Sequence, residues 1–214
     1  MFLSRIALDA SRRETIHALN APHVLHGAIE RGFEGDRRRR LWRVDWLGDS
    51  CFMLVLSDIE PDFSHIGIQF GFPDLMSVWE SKDYEPFLSR LENGQKWRFR
   101  LRANPVRNSY ECKDDDSSRG KVKAHVTHRQ QREWLFLRAE KNGFGLLENS
   151  FEVTHTQWLH FPKRLNSTEK VTIRTASFEG TLSIIDVELF KHALVTGIGR
   201  AKAYGCGLLT VVRL

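Results

Sequence analysis

The order strand, helix, strand, strand, helix, strand can be read twice along this chain, and few folds accommodate it. Phe2 to Asp9 reads as a strand anchored by Ile6 and Leu8. A helical stretch follows, roughly Arg12 to Arg31. LWRVDWL (Leu41 to Leu47) alternates so that Trp42, Val44 and Trp46 share one face; CFMLVLS (Cys51 to Ser57) answers with Phe52, Leu54 and Leu56. Gly48-Asp49 between them suits a two-residue hairpin turn. A weaker helical segment within 74–91 and the strand KWRFRLRANP (Lys96 to Pro105) complete the first set. In the second, KVKAHV (Lys121 to Val126) is a strand, and Thr127 caps a helix that Asn142-Gly143 stops. Phe144 to Phe161 and Val171 to Ile185 are extended, Asp186 caps a helix to about Thr196, and Gly207 to Arg213 is the last strand.

Two βαββαβ sets predict an α+β protein with two tandem ferredoxin-like domains. The predicted boundaries are 1–109 and 121–214, joined by a polar linker over 110–120 that contains KDDDSSRG. The 214 residues suffice for two units of about 100 each. A hydrophobic share of 41% excludes wholesale disorder, and no apolar run approaches the ~18 residues of a membrane span. Ser4, Arg5 and Asp9 break the opening stretch too early for a signal peptide. Three cysteines, Cys51, Cys112 and Cys206, lie far apart, which fits a reducing cytoplasm and no disulfide framework. The net charge of +5 is unevenly spread: residues 41–92 are acidic and 95–140 basic. That polarity suggests a polyanionic partner on one side, although a solubilising charge mixture has the same composition.

The first helix contains NAPHVLHGAIERG (Asn20 to Gly32), with Asn20 as a candidate N-cap and Pro22 in the first turn. At about 100° per residue, Val24, Leu25, Ala28 and Ile29 form one apolar stripe, and His23 and His26 share the opposite face. Glu30, four residues after His26, could pair with it and raise its pKa. Two imidazoles three residues apart can act on one substrate group, though such pairs are more often solvated surface side chains.

On the strand from Lys96, residues Trp97, Phe99 and Leu101 take one face, and Lys96, Arg98, Arg100 and Arg102 the other. A row of cations repels itself unless solvent or an anion screens it, so phosphate binding and simple exposure are both open. GIGRAKAYGCGLL (Gly197 to Leu209) sets Gly197, Gly199, Gly205 and Gly207 around Arg200 and Lys202. Such glycines can expose amides to a phosphate or make a tight helix-to-strand turn. The segment is neither a Walker A loop nor a dinucleotide fingerprint. PKRLNSTEK (Pro162 to Lys170) is longer than an ordinary hairpin loop and carries Lys163 and Arg164. It could enter a nucleic-acid groove or be a plain surface loop. His125 and His128 lack neighbouring ligands, so no metal site is expected, and Arg37 to Arg40 reads as a solvated charge block.

These features coincide with a family. The amino-terminal strand, PHVLH in the first helix, FRLRANP (Phe99 to Pro105), FEG (Phe178 to Gly180) and the terminal GIGRAKAYGCGLL resemble the CasE family over essentially the whole chain. CasE proteins are the CRISPR repeat endoribonucleases of the type I-E Cascade complex. The resemblance implies a tandem ferredoxin-like fold and metal-independent cleavage of precursor CRISPR RNA at the base of the repeat hairpin, with no cofactor. The expected partners are the repeat stem-loop and other Cascade subunits. The family's catalytic histidine maps onto His26. Its usual tyrosine three residues earlier is His23 here, and a basic position five after the histidine is Arg31. RNA-binding candidates are Arg98, Arg100, Arg102, Asn104, Lys163, Arg164, Gly199, Arg200, Lys202 and Gly205. An inactive RNA-binding subunit of the same architecture, or a small-anion regulatory pair, would share the basic surfaces without needing His26 at a phosphate.

Overall fold

The computed structural model describes residues 1–35, 38, 40–72, 78–109, 121–162 and 168–214. The first unit runs β1 (Phe2–Leu8), α1 (Arg13–Asn20), α2 (Pro22–Arg31), β2 (Leu41–Leu47), β3 (Ser50–Ser57), α3 (Ser64–Phe70) and β4 (Trp79–Asp83). Its sheet has the order β2-β3-β1-β4, with every pairing antiparallel. After a short α4 (Glu85–Leu88) come β5 (Lys96–Ala103), β6 (Val106–Ser109), β7 (Lys121–Ala124), α5 (His128–Ala139), β8 (Phe144–Gly145), β9 (Phe151–Pro162), β10 (Lys170–Ile184), α6 (Val187–Thr196) and β11 (Leu209–Arg213). The second sheet has the order β11-β5-β10-β8, and β9 continues the β8 edge along β10. Both sheets have the strand order of a ferredoxin-like βαββαβ unit, and the fold is the tandem arrangement expected.

The elements are divided differently from the expectation. β5 does not close the first unit. It is a central strand of the second sheet, held by β10 on one side and β11 on the other. The predicted first strand of the second half, β7, pairs instead with β6 in a separate two-stranded ribbon. The sheets therefore part between Asp83 and Lys96, not at 110–120, and that predicted linker lies outside the described residues. The first unit's missing elements are α3 and β4. Within 74–91 the only helix among the described residues is the four-residue α4. α3 is short and carries Gly67 at its centre, which hides it from a propensity argument. The glycine fits because Val78 packs over it, 3.1 Å from where a Cβ would stand.

The first helical stretch is two helices. Pro22 cannot continue α1, because its ring meets the preceding turn and it has no N–H to donate. It also biases its predecessor away from helical angles, and Ala21 sits at φ −127°, ψ 76°. Asn20 thus ends α1 rather than capping α2; its side chain donates back to the Ile16 carbonyl at 2.9 Å. Elsewhere the caps follow the sequence. Thr127 and Gln130 form a capping box on α5, Asp186 accepts from the amides of Glu188 and Leu189, and Gly143 turns out of the α5 end at φ +75°.

One core fills the first unit, with Ile6, Leu25, Ile29, Met53, Phe63 and Phe70 fully buried. The larger second core is built on Leu101, Trp134, Phe144, Phe178 and Phe190, and it also takes in Leu41 and Leu56 from the first sheet. Arg43 of β2 ties the units further. It is 2% exposed, bidentate to Asp45, and donates to the carbonyls of Arg100 and Leu208 and to the Thr210 hydroxyl. Cys51 and Cys206 are buried free thiols, both pushed up to about 11 by burial and so unreactive. Among the described residues no helix is long and apolar enough to cross a membrane.

Candidate active site

α2 buries Pro22, Leu25, Ala28 and Ile29 against the first sheet, which leaves His23 and His26 on its other side as the helical pattern predicts. That side faces the second unit rather than open water. The His23 ring stacks on Phe161 near the end of β9, with centroids 5.6 Å apart and planes 21° apart. Phe161 in turn meets Tyr204 edge-on at 4.9 Å. Tyr204 closes the short 3₁₀ turn Lys202–Tyr204 in the glycine segment. The solvated alternative does not hold for His23: it is half-buried, and its Nδ1 is buried without a hydrogen-bond partner. Nε2 is the nitrogen left for a substrate. Burial, with the neighbouring His17 second, holds the His23 pKa below 6.5, so the ring is neutral near pH 7. His26 follows on the same side of α2 and is also half-buried.

Glu30 is drawn elsewhere. Arg40, 4% exposed, donates to it at 3.0 Å and lies 3.7 Å over the Phe33 ring. Arg38 pairs with Asp58. Of the block read as solvated, Arg38 is exposed and Arg40 is buried, while Arg37 and Arg39 lie outside the described residues. Arg31 is the last residue of α2, exposed, and bonded to Gln69 of α3 at 2.9 Å.

Beside the start of α2 the two units enclose a groove of about 500 Å³, with Asn20, Pro22 and Trp46 on one wall and Arg100, Arg102 and Tyr204 on the other. Arg100 and Arg102 of the β5 cation row face this space, and their screening is partly internal. Arg100 is paired with Glu179 at 3.1 Å and stands 3.8 Å from Asp45. Arg102 reaches Gln157 at 3.3 Å, and Arg98 is exposed with no ion pair among the described residues. Asp45, from the acidic stretch 41–92, lines the groove itself. Asn104 is buried and donates to the Arg174 carbonyl at 2.8 Å.

The glycines act mainly through conformation. Gly197, Gly199, Gly205 and Gly207 all have positive φ. The amides of Gly197, Gly205 and Gly207 are bonded to carbonyls within the protein, so these three do not present donors to a phosphate. Gly205 lies flat on Trp42 and Gly199 on Trp134. Lys202 donates to the Thr196 carbonyl at the end of α6, 2.5 Å away, where a cation suits the helix dipole. Arg200 is exposed. Lys163 and Arg164 lie outside the described residues, though β9 ends at Pro162, beside the Phe161 that meets His23. Among the described residues no group of three His, Cys, Asp or Glu is placed to hold a metal.

Sequence reasoning missed Phe161, Tyr204 and Arg43. Tyr204 stood inside a segment read for its glycines, and Phe161 inside a long strand. Asp45, two residues on, is a local partner of Arg43, but its other partners, at Arg100, Leu208 and Thr210, are distant in the chain.

Residues 1–213 match a family described as CRISPR associated protein. The chain is 30% identical over 226 residues to the CRISPR-associated endoribonuclease Cse3 of Thermus thermophilus, covering 99% of each. It is 28% identical over 130 residues to the CRISPR system Cascade subunit CasE of Escherichia coli, 58% of this chain and 62% of that one. The structure of CRISPR endoribonuclease Cse3 bound to 19 nt RNA superposes with a TM-score of 0.80 at 28% identity, over 99% of this chain and 100% of that one.

Proposed function

Because the chain belongs to the CRISPR-associated protein family, we propose that it is a CasE-type endoribonuclease that cuts precursor CRISPR RNA at the base of the repeat stem-loop. It acts in the cytoplasm as a Cascade subunit. The observation that supports this reading is α2: its His23 ring stacks on Phe161 of the second unit, and its first residue, Pro22, lines a groove walled by Arg100 and Arg102. The likeness to Cse3 over the full length supports it.

RNA carries its own nucleophile, the 2′-OH next to the scissile phosphate. In-line attack forms the O2′–P bond and breaks the P–O5′ bond, giving a 2′,3′-cyclic phosphate and a 5′-OH. One group must take the 2′ proton and another must supply one to O5′; each transfer contributes roughly 10²–10⁴-fold. His23, kept neutral by burial, is suited to accept through Nε2. His26, next along the same face, then protonates the leaving oxygen. Imidazole suits both roles because its ordinary pKa lies near neutrality. Neither step calls for a metal or a cofactor. Arg31 would leave Gln69 to meet charge on the phosphorane oxygens. Arg98, Arg102 and Arg200, with Lys163 and Arg164, hold the RNA through its phosphates, because the A-form major groove is too deep and narrow to read. Asn104, Gly199, Gly205 and Lys202 shape the strand end and loop that carry these cations.

The test is cleavage of a labelled repeat stem-loop in EDTA. The native chain should give a cyclic phosphate end, and a 2′-deoxy substitution at the cut should abolish the reaction. His26→Ala should cut at least about 100-fold more slowly while binding RNA as the native chain does. Undiminished cutting by His26→Ala removes the assignment. Tight binding with no cutting by the native chain would favour an inactive RNA-binding subunit.

A further inference from the structure

The glycine segment that gives Tyr204 to the groove gives Gly199 and Arg200 to a second cavity, of about 510 Å³. The β6–β7 ribbon and α5 supply its other walls, with Arg107, His125 and Arg138. Arg40, Arg43 and Arg100 are each paired with a carboxylate, Glu30, Asp45 and Glu179. None of Arg107, Arg138 and Arg200 is in an ion pair among the described residues, and Glu133 is the lone carboxylate in the described wall. The electrostatic result is visible at His125, whose pKa is lowered by burial and by the charges of Arg107 and Arg138, against an opposing push from Glu133. Arg138 is held in place, its guanidinium 4.2 Å over the Trp134 ring and its Nη1 donating to the Trp134 carbonyl. Three guanidinium groups without anions around a concavity make a site for an anion, and guanidinium geometry suits phosphate.

Position decides which phosphate. Asn104 lines this cavity and Arg102 lines the groove. Arg102 is in β5 and Asn104 is one residue past its end, about 7 Å on where the chain stays extended. The linings of the groove and of the cavity are therefore neighbours along this one segment of chain. A duplex does not enter a concavity of this kind, since paired RNA is contacted across its wide, shallow groove. An unpaired nucleotide does, and a guanidinium plane such as that of Arg138 is a surface on which a base stacks. We infer that the cavity between the β6–β7 ribbon, α5 and the glycine segment binds a phosphodiester of unpaired RNA that continues from the strand in the cleavage groove, outside the stem. This rests on the RNA reading above.

The experiment measures affinity against salt for a bare stem-loop, for the same stem-loop with unpaired flanks, and for a short unpaired oligonucleotide. The variants are Arg107→Glu on the exposed ribbon and, against a folding defect, Arg138→Gln. The flanked RNA should show a steeper salt dependence than the bare stem-loop, by about 0.7 in log–log slope for each added phosphate contact. Either variant should remove that increment and weaken the unpaired oligonucleotide, with bare stem-loop affinity changed less than about twofold. Equal weakening of all RNAs would overturn the inference, as would a flank that adds nothing. If the native chain bound no stem-loop, the proposed function would fall. Arg107-dependent binding of the unpaired oligonucleotide would then still support this site, and its absence would overturn it. Binding of an acidic peptide at Arg107, with no gain from the flank, would mark a protein-docking site and also overturn it.

Discussion

His23 carries two roles that one substitution can separate. Its ring stacks on Phe161, which meets Tyr204 edge-on, and its Nε2 is the proposed proton acceptor. His23→Phe keeps an aromatic disc on Phe161 and removes the nitrogen. If proton transfer is the role, cleavage should fall roughly 10²-fold or more while the melting temperature at pH 8 stays near the native value. A fall below threefold would make the ring a packing element. The same variant reports the titration. Folding lowers the His23 pKa below 6.5, so in acid the unfolded chain takes up a proton that the folded chain refuses. Stability tied to this ring is therefore complete above the unfolded value and is lost as pH falls through it. Urea unfolding at pH 8 and again near pH 5.5 should show the native chain losing more stability than His23→Phe. His125, also lowered, titrates in both chains and cancels in the comparison. Parallel losses would mean that the Phe161 stack does not hold His23 neutral.

Elements with a local signature were legible in the sequence, and elements defined by their partners were not. The two-residue turn of the β2–β3 hairpin, the caps of α5 and α6 and the imidazole face of α2 follow from turn residues, capping residues and helical spacing; the β3 face does not, since Trp42, Val44 and Trp46 stand opposite Val55, Met53 and Cys51 and not Leu56, Leu54 and Phe52. β5 was correctly seen as a strand with one apolar face, but alternation does not say which sheet a strand joins. That choice is made by Trp97, Phe99 and Leu101 entering the second core, and by β10 and β11, more than 65 residues downstream. The glycine segment shows the same limit. Its composition suggested a phosphate cradle, whereas positive φ and close packing explain most of it. Gly205 is at φ +76° with a notional Cβ 3.0 Å from the Trp42 ring. Gly205→Ala should therefore destabilise the fold by about 1–3 kcal/mol, through left-handed strain and overpacking together. Because the turn carries Tyr204, cleavage should drop with it. Chemical denaturation checks the first effect; a variant as stable as the native chain would return Gly205 to a direct ligand role.

At the scale of the molecule, the site exists only because the two units are fixed to each other. α2 belongs to the first and its groove wall to the second, so any slack between them separates the imidazoles from the cations. Leu41 and Leu56 of the first sheet lie in the second core, and Arg43 crosses the junction with its charge balanced by Asp45. Tandem domains often unfold separately, but a shared core and a buried polar tie predict one transition here. Far-ultraviolet circular dichroism and tryptophan fluorescence should melt together, since Trp42 and Trp79 report the first unit and Trp97 and Trp134 the second. Arg43→Ala leaves the Leu208 carbonyl without its donor and the Asp45 carboxylate with Arg100 alone, 3.8 Å away. Breaking a buried pair from one side costs about 3–5 kcal/mol. The variant should melt at lower temperature with the two signals apart, and cleavage should fail before the secondary structure does. Replacing both partners, Arg43→Leu with Asp45→Leu, removes the stranded charge and should regain most of the stability. Coincident melting in Arg43→Ala would show that the apolar contacts at Leu41 and Leu56 alone couple the units, and that the groove is held by packing without the buried ion pair.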